Sequence, residues 1–202
     1  AGGAVVNQGY LSAPGGYIAL MGSTVENAGV IEAELGSVAL AAGTATTLKL
    51  DPKGTISVVV DESVIANPSN KKAAVDNSGT IKAGGGKVIL SAKALDGVFK
   101  NAVNTDGIIE ANSIDAAAGE VVVTANQRAA IGGTINAVGG SVKVDSQGAD
   151  YKGLINAAKG TFAANGGDTN ISGVYTGLGT YEFKDDINVI VDGTATFTNS
   201  NV

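Results

Sequence analysis

The feature that most constrains this chain is a pattern that returns about every twenty residues. Its clearest copy runs from Val25 to Gly43: an Asn27-x-Gly29 turn, a short strand over Val30 to Ala33, a bend at Gly36, and a second apolar strand at Val38 to Leu40. The copy before it sets Val5, Asn7, Gly9, Leu11 and Ala13 ahead of Gly16 and Tyr17 to Leu20. The copy after it sets Val75, Asn77, Gly79, Ile81 and Ala83 ahead of Gly86 and Val88 to Leu90. A fourth has Val103, Gly107, Ile109, Ala111, Gly119 and Val121 to Val123, with Thr105 in the Asn slot. A fifth has Gly133, Ile135, Ala137, Gly140 and Val142 to Val144, and a weaker sixth has Gly153, Ile155, Ala157, Gly160 and Phe162 to Ala164.

A period near twenty with two or three short strands per repeat is what a parallel β-solenoid requires. Each repeat is one coil whose apolar face is buried by its neighbours, so no coil is stable alone. The expected class is therefore all-β, with one or two insertions in the stack. Strands add about 4.8 Å per coil, so roughly eight coils make a slim rod about 40 Å long. Thirty Gly, with only four Phe, five Tyr and no Trp, fit a narrow interior filled by small aliphatic groups. A 44% apolar content in alternating strands offsets the entropy of ordering, which argues against disorder.

Composition also removes function classes. A net charge of −6, with Lys71-Lys72 as the only adjacent basic pair, is wrong for nucleic acid, which needs clustered cations. No apolar run is long enough to span a bilayer as a helix. The chain has no Cys and no His, which excludes disulfides and thiolate metal sites and removes the commonest general base and metal ligand. No catalytic residue, cofactor or metal site is assigned, and the chain is read as non-enzymatic.

In chain order, regular coils are expected over 1–43 and 75–165, an insertion over 44–74, and irregular end coils over 166–202, all in one segment of a larger protein. In the insertion, Asp51-Pro52-Lys53-Gly54 fits a type I turn, so Thr46 to Val60 reads as a hairpin or an out-of-register coil. Glu62 to Ala66 reads as a turn of helix. Leu95, Val98, Phe99 and Ala102 fall at helical spacing and predict a short helix over Ala92 to Ala102 against the stack. Gln127-Arg128 is placed in a connecting corner. Beyond about residue 165, strands at Thr169 to Val174, Thr180 to Phe183, Ile187 to Val191 and Ala195 to Thr198 read as further coils drifted in sequence. A cut end would expose a strand edge and invite end-to-end self-association.

Val-x-Asn-x-Gly-x-Ile-x-Ala and Gly-x-Val-x-Leu-x-Ala-Gly in tandem resemble the filamentous-haemagglutinin-like exoproteins of Gram-negative two-partner secretion systems. The most specific stretch runs from Gly15-Gly16-Tyr17-Ile18-Ala19-Leu20-Met21-Gly22 through Ser37-Val38-Ala39-Leu40-Ala41-Ala42-Gly43, then Leu48 to Val60 and Asp76-Asn77-Ser78-Gly79-Thr80-Ile81. The resemblance covers most of 1–160. It implies a right-handed parallel β-helix, exported through an outer-membrane transporter and displayed or released as an adhesin or fibre that meets host or neighbouring-cell glycans or proteins. The Asn-Pro-Asn-type motif of that family's secretion domain is not found, Ala66-Asn67-Pro68-Ser69-Asn70 sharing only part of it. This piece is expected downstream of the secretion signal or at the tail of that domain.

Nine positions are assigned to the structural repeat: Asn7, Gly9, Asn27, Gly29, Asn77, Gly79, Gly107, Gly133 and Gly153. Asn suits left-handed turn geometry, and stacked amides can hydrogen-bond along the axis. A ligand ladder is the weaker alternative. Asn104-Thr105-Asp106 matches a tripeptide of polygalacturonases, also right-handed β-helix enzymes, and Asp185-Asp186 resembles their acidic pair. Inverting hydrolysis sets its carboxylates about 6.5–9.5 Å apart. Here the two elements are about eighty residues apart, several coils along the axis. Asn165-Gly166-Gly167-Asp168 lacks the iterated pattern of calcium-binding repeats and reads as a polar corner. Tyr10, Tyr17, Tyr175 and Tyr181 are scattered rather than gathered into a sugar platform. The outward positions Ser12, Glu32, Lys82, Glu110 and Asn136 are too mixed for an ice-binding face. The sequence thus points to a structural or adhesive β-helical segment, with a carbohydrate-binding or carbohydrate-active β-helix module as the alternative.

Overall fold

Short runs such as Val30–Glu32 and Thr80–Lys82 are too brief to stand alone, and they hold as strands because the repeat before and the repeat after each supply a hydrogen-bonded edge. The computed structural model describes residues 3–51, 55–67 and 70–166 in full, and beyond them the backbone of strands between 168 and 201. The described residues are all-β, without a helix.

Each repeat contributes three strands, here called a tier. The first tier holds β1 (Ala4–Asn7), β2 (Tyr10–Ser12) and β3 (Tyr17–Gly22); the second holds β4 (Thr24–Asn27), β5 (Val30–Glu32) and β6 (Ser37–Ala42). A hairpin follows, β7 (Ala45–Leu50) and β8 (Ile56–Glu62). The tiers resume with β9 (Ala73–Asn77), β10 (Thr80–Lys82) and β11 (Lys87–Ala92), then β12 (Asn101–Thr105) and β13 (Ile108–Glu110). Next come β14 (Glu120–Ile131), β15 (Thr134–Asn136), β16 (Ser141–Tyr151), β17 (Leu154–Asn156) and β18 (Thr161–Asn165). The last strands are β19 (Asp168–Ile171), β20 (Val174–Thr176), β21 (Gly179–Lys184), β22 (Val189–Val191), β23 (Thr196–Phe197) and β24 (Ser200–Asn201).

Like strands of successive tiers pair parallel. The middle strands form an eight-stranded sheet in the order β2-β5-β10-β13-β15-β17-β20-β23. The other two columns belong to one fourteen-stranded sheet, because β14 and β16 run unbroken from one column into the next. Gln127-Arg128 therefore lies inside a strand, where the pairing with β16 shifts register between Ala125 and Arg128, and not in a separate corner. Strands occupy parts of each stretch expected after residue 165, Thr169 to Val174 being shared between two of them, and β19 to β24 pair onto the columns of β16, β17 and β18.

Register sets the core. Leu11, Ile31, Ile81, Ile109, Ile135 and Ile155 stack in one column, and from Ile31 to Ile155 all are buried. Leu20, Leu40, Leu90, Val123, Val144 and Ala164 form another, and Val25, Val75, Val103, Ala129 and Ala149 a third. Where the third column shrinks to Ala, the space is taken by Tyr151 against Phe162, edge to face at 5.5 Å.

Two helical expectations are corrected. Ala92 to Ala102 forms no helix: Ala94 bridges to Val64, and the chain turns through Gly97 at φ 76° before entering β12. Of the helically spaced residues, Phe99 and Ala102 are buried but Leu95 is half exposed, so they do not form one face. Glu62 to Ala66 is likewise not helical, since Glu62 ends β8 and Val64 makes that bridge. The segment from Thr46 to Val60 is an antiparallel hairpin; the proposed turn at Pro52 to Gly54 lies outside the described residues.

Candidate functional site

The nine repeat positions meet at one corner of the tiers. Asn7 Nδ2 donates to Asn27 Oδ1 at 2.8 Å, Asn27 Nδ2 to Asn77 Oδ1 at 2.8 Å, and Asn77 Nδ2 to Thr105 Oγ1 at 3.1 Å. Asn27 and Asn77 are fully buried and Asn7 is 7% exposed, so this row faces the core and offers nothing to a ligand. Thr105 continues it at the slot where the Asn pattern lapses, and Ile131 and Tyr151 end it. Gly9, Gly29, Gly79, Gly107, Gly133 and Gly153 stack beside the row. From Gly29 to Gly153, a Cβ would strike the carbonyl oxygen of the glycine in the tier before. The close approach is sealed by backbone bonds such as Gly79 N–H to Asn27 O at 2.8 Å and Thr80 N–H to Gly29 O at 2.9 Å.

Asn104 and Asp106 of the polygalacturonase-like tripeptide point outward, while Thr105 points in. They border a dent of about 390 Å³ made by the small residues Ala130 and Gly132, rimmed by Lys72, Lys100, Asp150 and Lys152. Its polar groups brace one another: Asn104 Nδ2 donates to Asp76 at 2.8 Å and to Asp106 at 3.1 Å, and Arg128 pairs with Asp150 at 2.7 Å. One edge of this face carries a further pair, Lys71 to Glu26 at 2.6 Å. That hydrogen bond and charge hold the Lys71 ammonium above its ordinary pKa. Asp185-Asp186 lies outside the described residues, as do Gly167 and the side chains of Asp168, Tyr175 and Tyr181. Tyr10 and Tyr17 are exposed on different columns, Tyr10 donating to Glu32 at 2.9 Å, so they form no shared platform. Ser12, Glu32, Lys82, Glu110 and Asn136 do share one outward column, with charge alternating along it.

A larger concavity lies elsewhere, beside the hairpin. Ile56 and Val58 of β8 and Leu48 of β7 pack on Ala19, Ala39 and Ile89, which face outward from β3, β6 and β11. This second apolar layer covers Ala39, and every residue of β6 is buried. Beyond the hairpin edge, a cleft of about 970 Å³ opens, with β8 residues Ser57 to Val60 as wall and Ile89, Ser91, Val122 and Thr124 among its floor. Sequence reading named no site residue in this cleft, although its wall belongs to the insertion expected over 44–74. A signal was present: the wholly apolar run Val38 to Ala42 breaks the apolar–polar alternation, as a strand covered on both faces does.

No helix among the described residues is long and apolar enough to cross a membrane. No protein-family profile matches the chain, and no curated protein is found related to it.

Proposed function

We propose that the tiers are coils of one right-handed parallel β-helix, and that this segment is a structural and adhesive scaffold of a large secreted or cell-surface bacterial exoprotein. The observation that carries the reading is the continuous parallel register from tier to tier, in which each tier is stabilised by its neighbours and reach grows with tier number. Function then rests on stiffness, length and whatever stands off the stack, above all the hairpin. Export through an outer-membrane transporter suits a Cys-free chain whose coils can form one after another, and surface glycans or proteins of other cells are the partners such a fibre meets.

The polar dent around Ala130 and Gly132 favours a second reading, a carbohydrate-binding module, because amide, carboxylate and ammonium groups converge there. Beads coated with the chain and flowed over glycan- and protein-coated surfaces distinguish these readings from an inert fold. Retention above that of beads carrying the core-disrupting Ile81→Asp variant supports adhesion, and equal retention refutes it. Loss of glycan retention on Asp106→Asn alone assigns the binding to the dent. A scattering profile without a rod dimension near 40 Å, about eight tiers at 4.8 Å, removes the scaffold reading.

A further inference from the structure

We infer that the cleft beside β8 is a seat for one extended peptide segment of a partner protein, which adds as a third strand to the hairpin. Strand β8 pairs with β7 alone among the described residues. The Asp51–Thr55 backbone bond fixes the alternation, so Lys49–Ser57 and Thr47–Val59 are the bonded pairs and the N–H and C=O groups of Ile56, Val58 and Val60 point out from the open edge. Such an edge is a template for strand addition, in which main-chain bonds give affinity and alternate side chains give selectivity.

The floor has room for one strand. Ala19, Ala39, Ile89 and Val122 form a single outward column across β3, β6, β11 and β14. The hairpin covers the first three, leaving Val122 part-exposed, and the next position in the column is the exposed Lys143. Lys143 and the cleft residue Lys93 hold no ion pair among the described residues. A fitting segment therefore alternates apolar and polar residues, with apolar groups over Val122 and a carboxylate answering these cations. A second copy does not fit: two hairpins joined edge to edge about a two-fold axis would bring the partner's tiers into the space of β14 and β16. The occupant must arrive without a sheet beneath it. This inference does not depend on the export or adhesion reading.

The test selects a display library of short random peptides on the intact chain and on Val122→Arg, which fills the floor from an outward position. Thr124→Arg, at an exposed site, serves as a second block should the first lower the melting temperature. The expected result is enrichment of alternating, acid-containing peptides that slow amide exchange at Ile56, Val58 and Val60 and bind the blocked variant at least about tenfold more weakly. Three results overturn the inference: no enrichment, equal binding to the blocked variants, or protection away from the β8 edge. Concentration-dependent dimers that protect the same amides overturn it as well, in favour of a second copy.

Discussion

Replacing Asn27 by Ala removes the middle link of the buried amide row and strands two groups at once. Asn77 Oδ1 loses its donor at a fully buried position, which costs about 1–3 kcal/mol, and Asn7 Nδ2, nearer solvent, loses its best acceptor at the lower end of that range. The missing side chain leaves a small void worth about 1 kcal/mol more. The expected loss is about 4 kcal/mol, read from the urea midpoint by circular dichroism. Asn27→Asp separates hydrogen bonding from shape. As a neutral acid it can donate to Asn77 Oδ1 and accept from Asn7 Nδ2, reproducing both bonds, whereas the carboxylate faces Asn77 Oδ1 with no donor. Burial and that acceptor raise the folded-state pKa of the new group above the unfolded value of about 3.9. Above that pH the folded chain binds more protons than the unfolded one. Stability relative to the parent therefore falls by up to about 1.4 kcal/mol per pH unit until the folded pKa is passed. Near pH 4 the variant should approach the parent, and at pH 7 it should be clearly weaker. An unchanged midpoint for Asn27→Ala, or a gap for Asn27→Asp that does not widen with pH, refutes the reasoning.

Three further outcomes are expected. Gly79→Ala places a methyl group against the Gly29 carbonyl and should lower stability by about 2 kcal/mol or more, measured by thermal unfolding; equal melting would mean that the corner has slack. Leu35 occupies left-handed backbone at φ 56° with its side chain more than half exposed, so Leu35→Asn should stabilise by about 0.5–1 kcal/mol, and a lower denaturation midpoint would contradict this. Because Glu26 raises the Lys71 pKa in the folded state, their pair contributes stability below the ordinary lysine pKa of 10.5 and loses it as pH rises through the folded value. Glu26→Gln should flatten the alkaline slope above about pH 10.5, an effect of at most about 1 kcal/mol for so exposed a pair.

The tier plan was legible because Asn27-x-Gly29 and its echoes report a backbone contact that only Gly admits and a buried polar row in which each side chain must find a hydrogen-bond partner in the next tier. The helix expected over Ala92 to Ala102 shows where such reading fails. Leu95 to Ala102 carry helical spacing by coincidence, and long-range contacts, the Val64–Ala94 bridge and the Asn126 and Gln127 side chains on Ala94, hold the backbone instead. Strand β14 was divided in two because Gln127 and Arg128 look like corner residues, yet Gln127 is buried and donates to Ala94 O at 2.8 Å and to Asp96 at 3.1 Å. The cleft beside β8 depends on which face of the stack the hairpin lies against. That is a tertiary fact, to which Ile56 and Val58 contribute only alternation.

The chain departs from the stack at Gly43, spends β7 and β8 outside it, and comes back at Ala73, yet Lys87 to Ala92 land opposite Ser37 to Ala42 without a slip. The neighbouring tiers close over the detour as though nothing had been interposed. Such a doorway fixes the two ends of its contents and the apolar seat of Leu48, Ile56 and Val58, so an insert that keeps that seat could differ in length or chemistry elsewhere while the column stands.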